Sequence, residues 1–343
     1  MATGTTFRIL PSGDGRYYGA YPDGDNPLSL DDLKMYGFAI SLLWYTANEE
    51  PEPAPVTPYT RVPVWMGEFA QHAGIDFNSA GDFGQIDFQN TNWAARAAAF
   101  GGNGEPVLDA STVPEVSDSP QIVTTTNTTP NWTSGAWSSQ GWDHIVTMPD
   151  NFNQEDLTPE DYEPRIQEQI TNVLGVLPPP SKYIWVVNWH EPTIQPIPPV
   201  DVRNMPGQSA EAQDYRDYLR GNFRTWHIES QDLTIEDNPS LNYVSCPTGP
   251  VWANLWENET YLQNLNSSVF FGDVAPHGTE TMYFISAMIM FRKMYLRKVG
   301  FNGYVPPVGT TIDPAVLNNL NDIEDRIEIY LNQENQNGFR VYL

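Results

Sequence analysis

The sequence predicts a three-layer α/β fold, a doubly wound parallel sheet with helices on both faces. Three observations predict it. Short apolar runs with the composition of buried strands stand at 143–148, 182–187 and 241–246. Segments with apolar residues at helical spacing separate and follow them, the order that gives a parallel sheet with crossover helices. At 343 residues, 40% hydrophobic and 13% aromatic, the chain has ample material for one large core.

Residues 5–10 read as a short strand ending in the turn Pro11, Ser12, Gly13. Ser29, Leu30, Asp31 and Asp32 resemble a capping box, predicting a helix through Met35, Phe38, Ile40 and Leu43. A proline-rich acidic loop, 49–55, precedes a helix over 64–73, which leads to a segment holding Gly81 and Gly84. The Thr/Ser/Asn-rich stretch 101–140 predicts an irregular insertion. The strand at 143–148 runs into Asp150 and Asn151. Thr158 then caps a helix whose Pro159, Glu160 and Asp161 suit a first turn.

After the strand at 182–187 comes Asn188, Trp189, His190, Glu191, Pro192, and then one long helix over 209–229. The apolar run 269–271 reads as the end of a strand, followed by a turn with Asp273 and His277 and a helix over 279–298. A Pro/Gly linker at 300–311 precedes an amphipathic helix over 314–331 and a terminal strand, "GFRVYL". This divides the chain into an α/β domain, 1–300, and a C-terminal extension, 301–343.

With 43 acidic against 17 basic residues the net charge is −26, which repels phosphate backbones and excludes nucleic acid as a partner. One cysteine excludes a disulfide framework and any cysteine-built metal site. No apolar run reaches the roughly 18 residues of a membrane span, so no membrane insertion is expected. Without a secretion signal, a cytoplasmic or virion-associated location is expected.

In doubly wound sheets ligands gather where strands end in loops at the carboxyl edge. Ser12, Gly81 or Gly84, Asp150 or Asn151, and Asp273 with His277 are expected there. A hydroxyl, an imidazole, a carboxylate and amide donors are the parts an ester hydrolysis needs. Each has a plainer reading too: Ser12 as a turn residue, Asn151 as a helix cap, the glycines as conformational relief.

The stretches "FRILPSGDG", "WMGEFAQHAGIDFNSAGDFG", "HIVTMPDNF" and "FFGDVAPHGTETMYFISAMI" resemble, in order, the four blocks of the SGNH hydrolases. The resemblance spans roughly residues 5–300, although Pro11 and Gly13 around Ser12 depart from the family's first block. It implies a flavodoxin-like sheet and an esterase needing no cofactor and no metal. It further implies Ser12 as nucleophile, His277 as base, Asp273 as its orienter, and Asn151 with Gly81 or Gly84 as oxyanion donors.

Trp189, His190 and Glu191 are expected to bind substrate. A metal there lacks a third ligand, and a glycosidase pairing of Glu191 with Glu257 has no fixed separation. His144 and His227 read as packing residues. The tryptophans at 132, 137, 142, 189, 252 and 256 are expected largely in loops. The function expected is a serine esterase or deacetylase acting on an acylated carbohydrate or small ester. The alternative is a virion tail or capsid-surface protein, structural or receptor-binding, with homo-oligomeric or viral partners.

Overall fold

The computed structural model describes residues 8–11, 17–20, 32–38, 59–60, 62–82, 121–124, 143–147, 158–174, 182–188, 204–272 and 278–341. Its strands are β1 (Arg8–Pro11), β2 (Tyr17–Ala20), β3 (Asp32–Phe38), β4 (Asp76–Asp82), β5 (Gln121–Thr124), β6 (His144–Thr147), β7 (Lys182–Val186) and β8 (Tyr243–Cys246). The helices are α1 (Val62–Ala73), α2 (Pro159–Leu174), α3 (Ala210–Arg220), α4 (Asn222–Asp237), α5 (Thr248–Asn258), α6 (Glu280–Tyr295), α7 (Pro314–Leu317) and α8 (Leu320–Gln336).

Six strands form one sheet in the order β5-β4-β3-β6-β7-β8. The five strands from β4 to β8 across this order are mutually parallel, and β5 closes one edge antiparallel to β4. In chain order the parallel strands therefore stand second, first, third, fourth, fifth, the flavodoxin-like arrangement. Right-handed crossovers in opposite directions from β3 and β6 send α1 to one face and α2 to the other. In keeping with that, α1 packs on α6, and α2 packs on α4.

The buried composition of 182–187 is realised: Tyr183, Ile184, Trp185, Val186 and Val187 are all at most 1% exposed. Helix α6 is apolar on every side and all its residues are buried, because it lies between α1, α5, α8 and the sheet. Its ring contacts with α1 are edge-to-face: Trp65–Phe284 and Phe69–Phe284, each at 4.9 Å. Such pairs each add about 0.5–1.5 kcal/mol beyond burial. Ile323, Ile327 and Leu331 of α8 join the same core.

Several expectations are corrected. The predicted helix at 29–43 is replaced by β3, whose backbone bonds to β4 and β6 on its two sides outweigh a local capping signal. β1 pairs with β2 as a separate two-stranded sheet, so the first strand of the chain is not the first strand of the main sheet. The insertion at 101–140 contributes a strand, β5. The long helix at 209–229 is two, broken at Gly221, where a Cβ would stand 2.9 Å from the Asp217 carbonyl oxygen. The run before Gly272 is a 3-10 turn, Ser267–Val269, rather than a strand. The C-terminal segment takes no strand assignment, but Arg340 O accepts a bond from Ser245 N (3.0 Å) along the free side of β8.

Three carboxyls, Glu163, Glu324 and Glu334, are held above their ordinary pKa of 4.5, chiefly by burial. Arg224, Asn254 and Asn337 all bond Glu334 and pull the other way. The folded chain keeps protons on these groups where the unfolded chain has lost them. Their contribution to stability is therefore full below about pH 4.5 and is lost as pH rises through the raised folded values. Relief of self-repulsion in a −26 chain acts in the same direction. Tm is expected to rise by a few degrees between pH 8 and pH 5.5, with a shallower slope in Glu334→Gln; calorimetry that finds Tm flat or falling over that range refutes this.

Candidate functional site at the carboxyl edge

β3 lies between β4 and β6, and the direction of the crossovers reverses there. Phe38, the last residue of β3, is in register with Asp82 of β4 and Thr147 of β6. The chain thus leaves these strands from adjacent positions, roughly 4.8 Å apart per strand. Such a reversal opens a crevice beyond the strand ends, because the flanking loops are drawn to opposite faces.

A second element arrives at the same edge. His144, which opens β6, has Nε2 3.4 Å from the carbonyl oxygen of Met294, near the end of α6. Phe77, at the start of β4, lies 6.5 Å from Tyr295, ring to ring. The end of α6 is therefore at the amino edge of the sheet, and its start, Glu280, is at the carboxyl edge.

Just before α6 the chain is pinched. Phe271 and Gly278 form an antiparallel bridge, and Thr279 N donates to Phe270 O (2.8 Å). Thr279 Oγ1 donates to Val269 O (2.5 Å) and accepts from Met282 N (3.4 Å), capping the helix. The bridge thus brings Phe271 and Gly278, seven positions apart in sequence, side by side next to the start of α6.

Gly81 is described, and it lies inside β4, one residue before its end, paired with Gly37 and Gln121. The expectation that it follows the strand is corrected by one step of register. Ser12, Gly84, Asn151, Trp189, His190, Glu191, Asp273 and His277 lie outside the described residues. What is described is where their segments begin. The segment of Asn151 leaves β6 at the carboxyl edge, that of Gly84 leaves β4 there, and that of Trp189, His190 and Glu191 leaves β7 there. Asp273 and His277 lie in sequence between Phe271 and Gly278, which the bridge ties together. Ser12 follows β1, which pairs with β2 in the two-stranded sheet and not with the strands of the six-stranded one.

Glu257 is paired with Arg220 and accepts from Gln213 Nε2 (3.2 Å), a structural tie between α5 and α3 rather than a glycosidase acid. Trp252 and Trp256 are not loop residues. Both sit on α5, at most 1% exposed, and meet Phe270 edge-to-face, Trp252 meeting Phe271 in the same way. His227 is buried in packing, as expected, and accepts from Trp185 Nε1 (3.2 Å).

Beyond β7 and β8, Val187 N donates to Cys246 O and Gly249 N donates to Val187 O, both at 2.9 Å. Burial pushes the Cys246 thiol up to about 11, against the opposing effects of Thr248 and Lys293, so at neutral pH it is a protonated packing group and no nucleophile. Among the described residues no three His, Cys, Asp or Glu side chains gather as a metal site. No helix among them is long and apolar enough to cross a membrane.

No family model and no curated protein matches the chain. Among solved structures, a DUF4886 family protein from Bacteroides uniformis is similar at 12% identity and a TM-score of 0.47, over 89% of this chain and 95% of that one. An acetyl-xylooligosaccharide esterase from Geobacillus stearothermophilus is similar at 13% identity and a TM-score of 0.36, over 81% and 100%. A catalytic mutant of the same acetylxylan esterase gives 12%, 0.35, 80% and 97%. The strand order and the loop exits carry the site.

The Phe271–Gly278 bridge depends on the segment before it. Met205 N donates to Ser267 Oγ and Ser267 N to Met205 O, both at 2.9 Å. A Cβ on Gly207 would press on the carbonyl oxygens of Gln263 and Leu265, the latter at 2.5 Å. Both are backbone atoms in a bonded turn. Gly207→Ala is expected to cost on the order of 1–3 kcal/mol, read by denaturant unfolding; a change within a few tenths would show that this turn yields freely.

Proposed function

We propose that the chain is a serine-dependent carboxylic ester hydrolase, acting on a small ester or an acylated carbohydrate at the crevice between β3 and β6. The observation that carries this reading is the reversal of strand order at β3 and β6, with the exits of β3, β4 and β6 at the edge where the Phe271–Gly278 bridge precedes α6. In this reading the exits of β4 and β6 lead into the segments of Gly84 and Asn151, and the imidazole and carboxylate come from the residues between Phe271 and Gly278.

In the resemblance the nucleophile follows the first strand of the main sheet, and in chain order that strand is β3, so this reading takes the nucleophile from the segment that leaves β3. Ser41 is three residues beyond Phe38 and is the one serine between 39 and 58. In this reading Ser41 Oγ attacks the ester carbonyl while His277 takes its proton, and Asp273 holds the imidazole. Amide groups of Asn151 and Gly84 receive the developing oxyanion. His277 returns the proton to the leaving alcohol, and water then releases the acid from the acyl-serine.

A fluorophosphonate probe distinguishes the two serines. Labelling is expected on the Ser41 peptide, abolished in Ser41→Ala and retained in Ser12→Ala. Hydrolysis of p-nitrophenyl acetate should fall at least about a thousandfold in Ser41→Ala. Absence of any label sinks the hydrolase reading, and a label on the Ser12 peptide sinks the choice of Ser41.

A further inference from the structure

We infer that Asn188 binds substrate at this edge, holding the hydroxyl groups of a polyol ester, an inference that rests on the hydrolase reading and narrows its substrate. Asn188 directly follows the buried pair Val186 and Val187 at the carboxyl end of β7, beside β6. It is 3% exposed, yet neither its Nδ2 nor its Oδ1 has a hydrogen-bond partner. A buried amide left without donor or acceptor partners destabilises the fold, and such groups are rare.

The polar groups on the β8 side are already used. Val187 N and O are taken by Cys246 O and Gly249 N, and Thr248 Oγ1 donates to Cys246 O (3.3 Å). β7 is one strand from β6, whose exit borders the crevice, so the unpaired amide stands about 4.8 Å of sheet from it.

The chemistry of the amide selects its ligand. Asn offers two N–H donors and a carbonyl acceptor and carries no charge. An acyl carbonyl or an ether oxygen satisfies the donors alone. A hydroxyl both accepts and donates, and neighbouring hydroxyls satisfy both atoms of the amide together. A chain of net charge −26 also disfavours an anionic ligand, leaving a neutral, hydroxylated alcohol portion. A site built to bond a hydroxyl discriminates strongly against the analogue that lacks it, since its own polar atoms then stay unpaired.

The test is Asn188→Leu, which keeps the number and branching of the side-chain heavy atoms and removes both polar atoms. Two quantities are read: Tm of the ligand-free protein, and the ratio of kcat/KM for glycerol monoacetate to that for ethyl acetate. The expected result is a Tm higher by roughly 2–4 °C, as a buried unpaired group is removed, together with a fall of at least about tenfold in the ratio. A lower Tm, or a variant that does not fold, overturns the inference by making Asn188 a structural residue, as does an unchanged ratio. A water that serves the fold alone gives the lower Tm and the unchanged ratio. Should the wild-type chain take no fluorophosphonate label, the hydrolase reading fails by itself; the Tm comparison still reports whether Asn188 is held unpaired.

Discussion

Because β3 is hydrogen-bonded in parallel to β4 on one side and to β6 on the other, the crossovers that follow β3 and β6 run to opposite faces of the sheet. That single pairing decides where a cleft can exist. It also decides which loops face one another across it, since Asp82, Phe38 and Thr147 stand in one row and the chain leaves each of them in the same direction. A small shift in that register would still leave a sheet and a core, but it would dissolve the row from which the candidate site is assembled.

Helix α6 is the other half of the construction. It is buried on all sides, which fixes its direction relative to the sheet through contacts at both ends: His144 and Phe77 at one, the Thr279 cap at the other. Charges at its ends are satisfied internally. Glu280 accepts from Thr311 Oγ1 at 3.0 Å, and Arg292 pairs with Glu328 at 3.1 Å. A helix with so many apolar residues can therefore carry ionised groups inside the molecule.

The polar groups of the interior sort into two kinds. Glu334, Gln231 and Ser267 have partners supplied by the chain, and they join elements that would otherwise touch through apolar surface alone. Asn188 has none, although it sits as deeply. Folding favours the first kind and opposes the second, and the ligand role proposed for Asn188 is what would offset that cost.

Local composition was enough to determine the strands at 144–147, 182–186 and 243–246 and the helices around Val64, Thr158 and Thr279. In each case a run of buried residues or a capping side chain states the outcome within a few positions. The ends of β4 and β6 and the start of α6 were legible for the same reason, since strand ends and helix starts mark themselves. The identity of the first sheet strand was not. Residues 32–38 carry a capping pattern that favours a helix locally, and residues 8–11 look as strand-like as any, so nothing nearby tells a central strand from a hairpin arm. Pairing with β4, about 44 positions along, and with β6, more than 100 along, decided it, because backbone groups in the middle of a sheet need partners on both sides. The isolation of Asn188 was likewise invisible in "NWHEP", since whether an amide finds a partner depends on chain segments brought together by the fold.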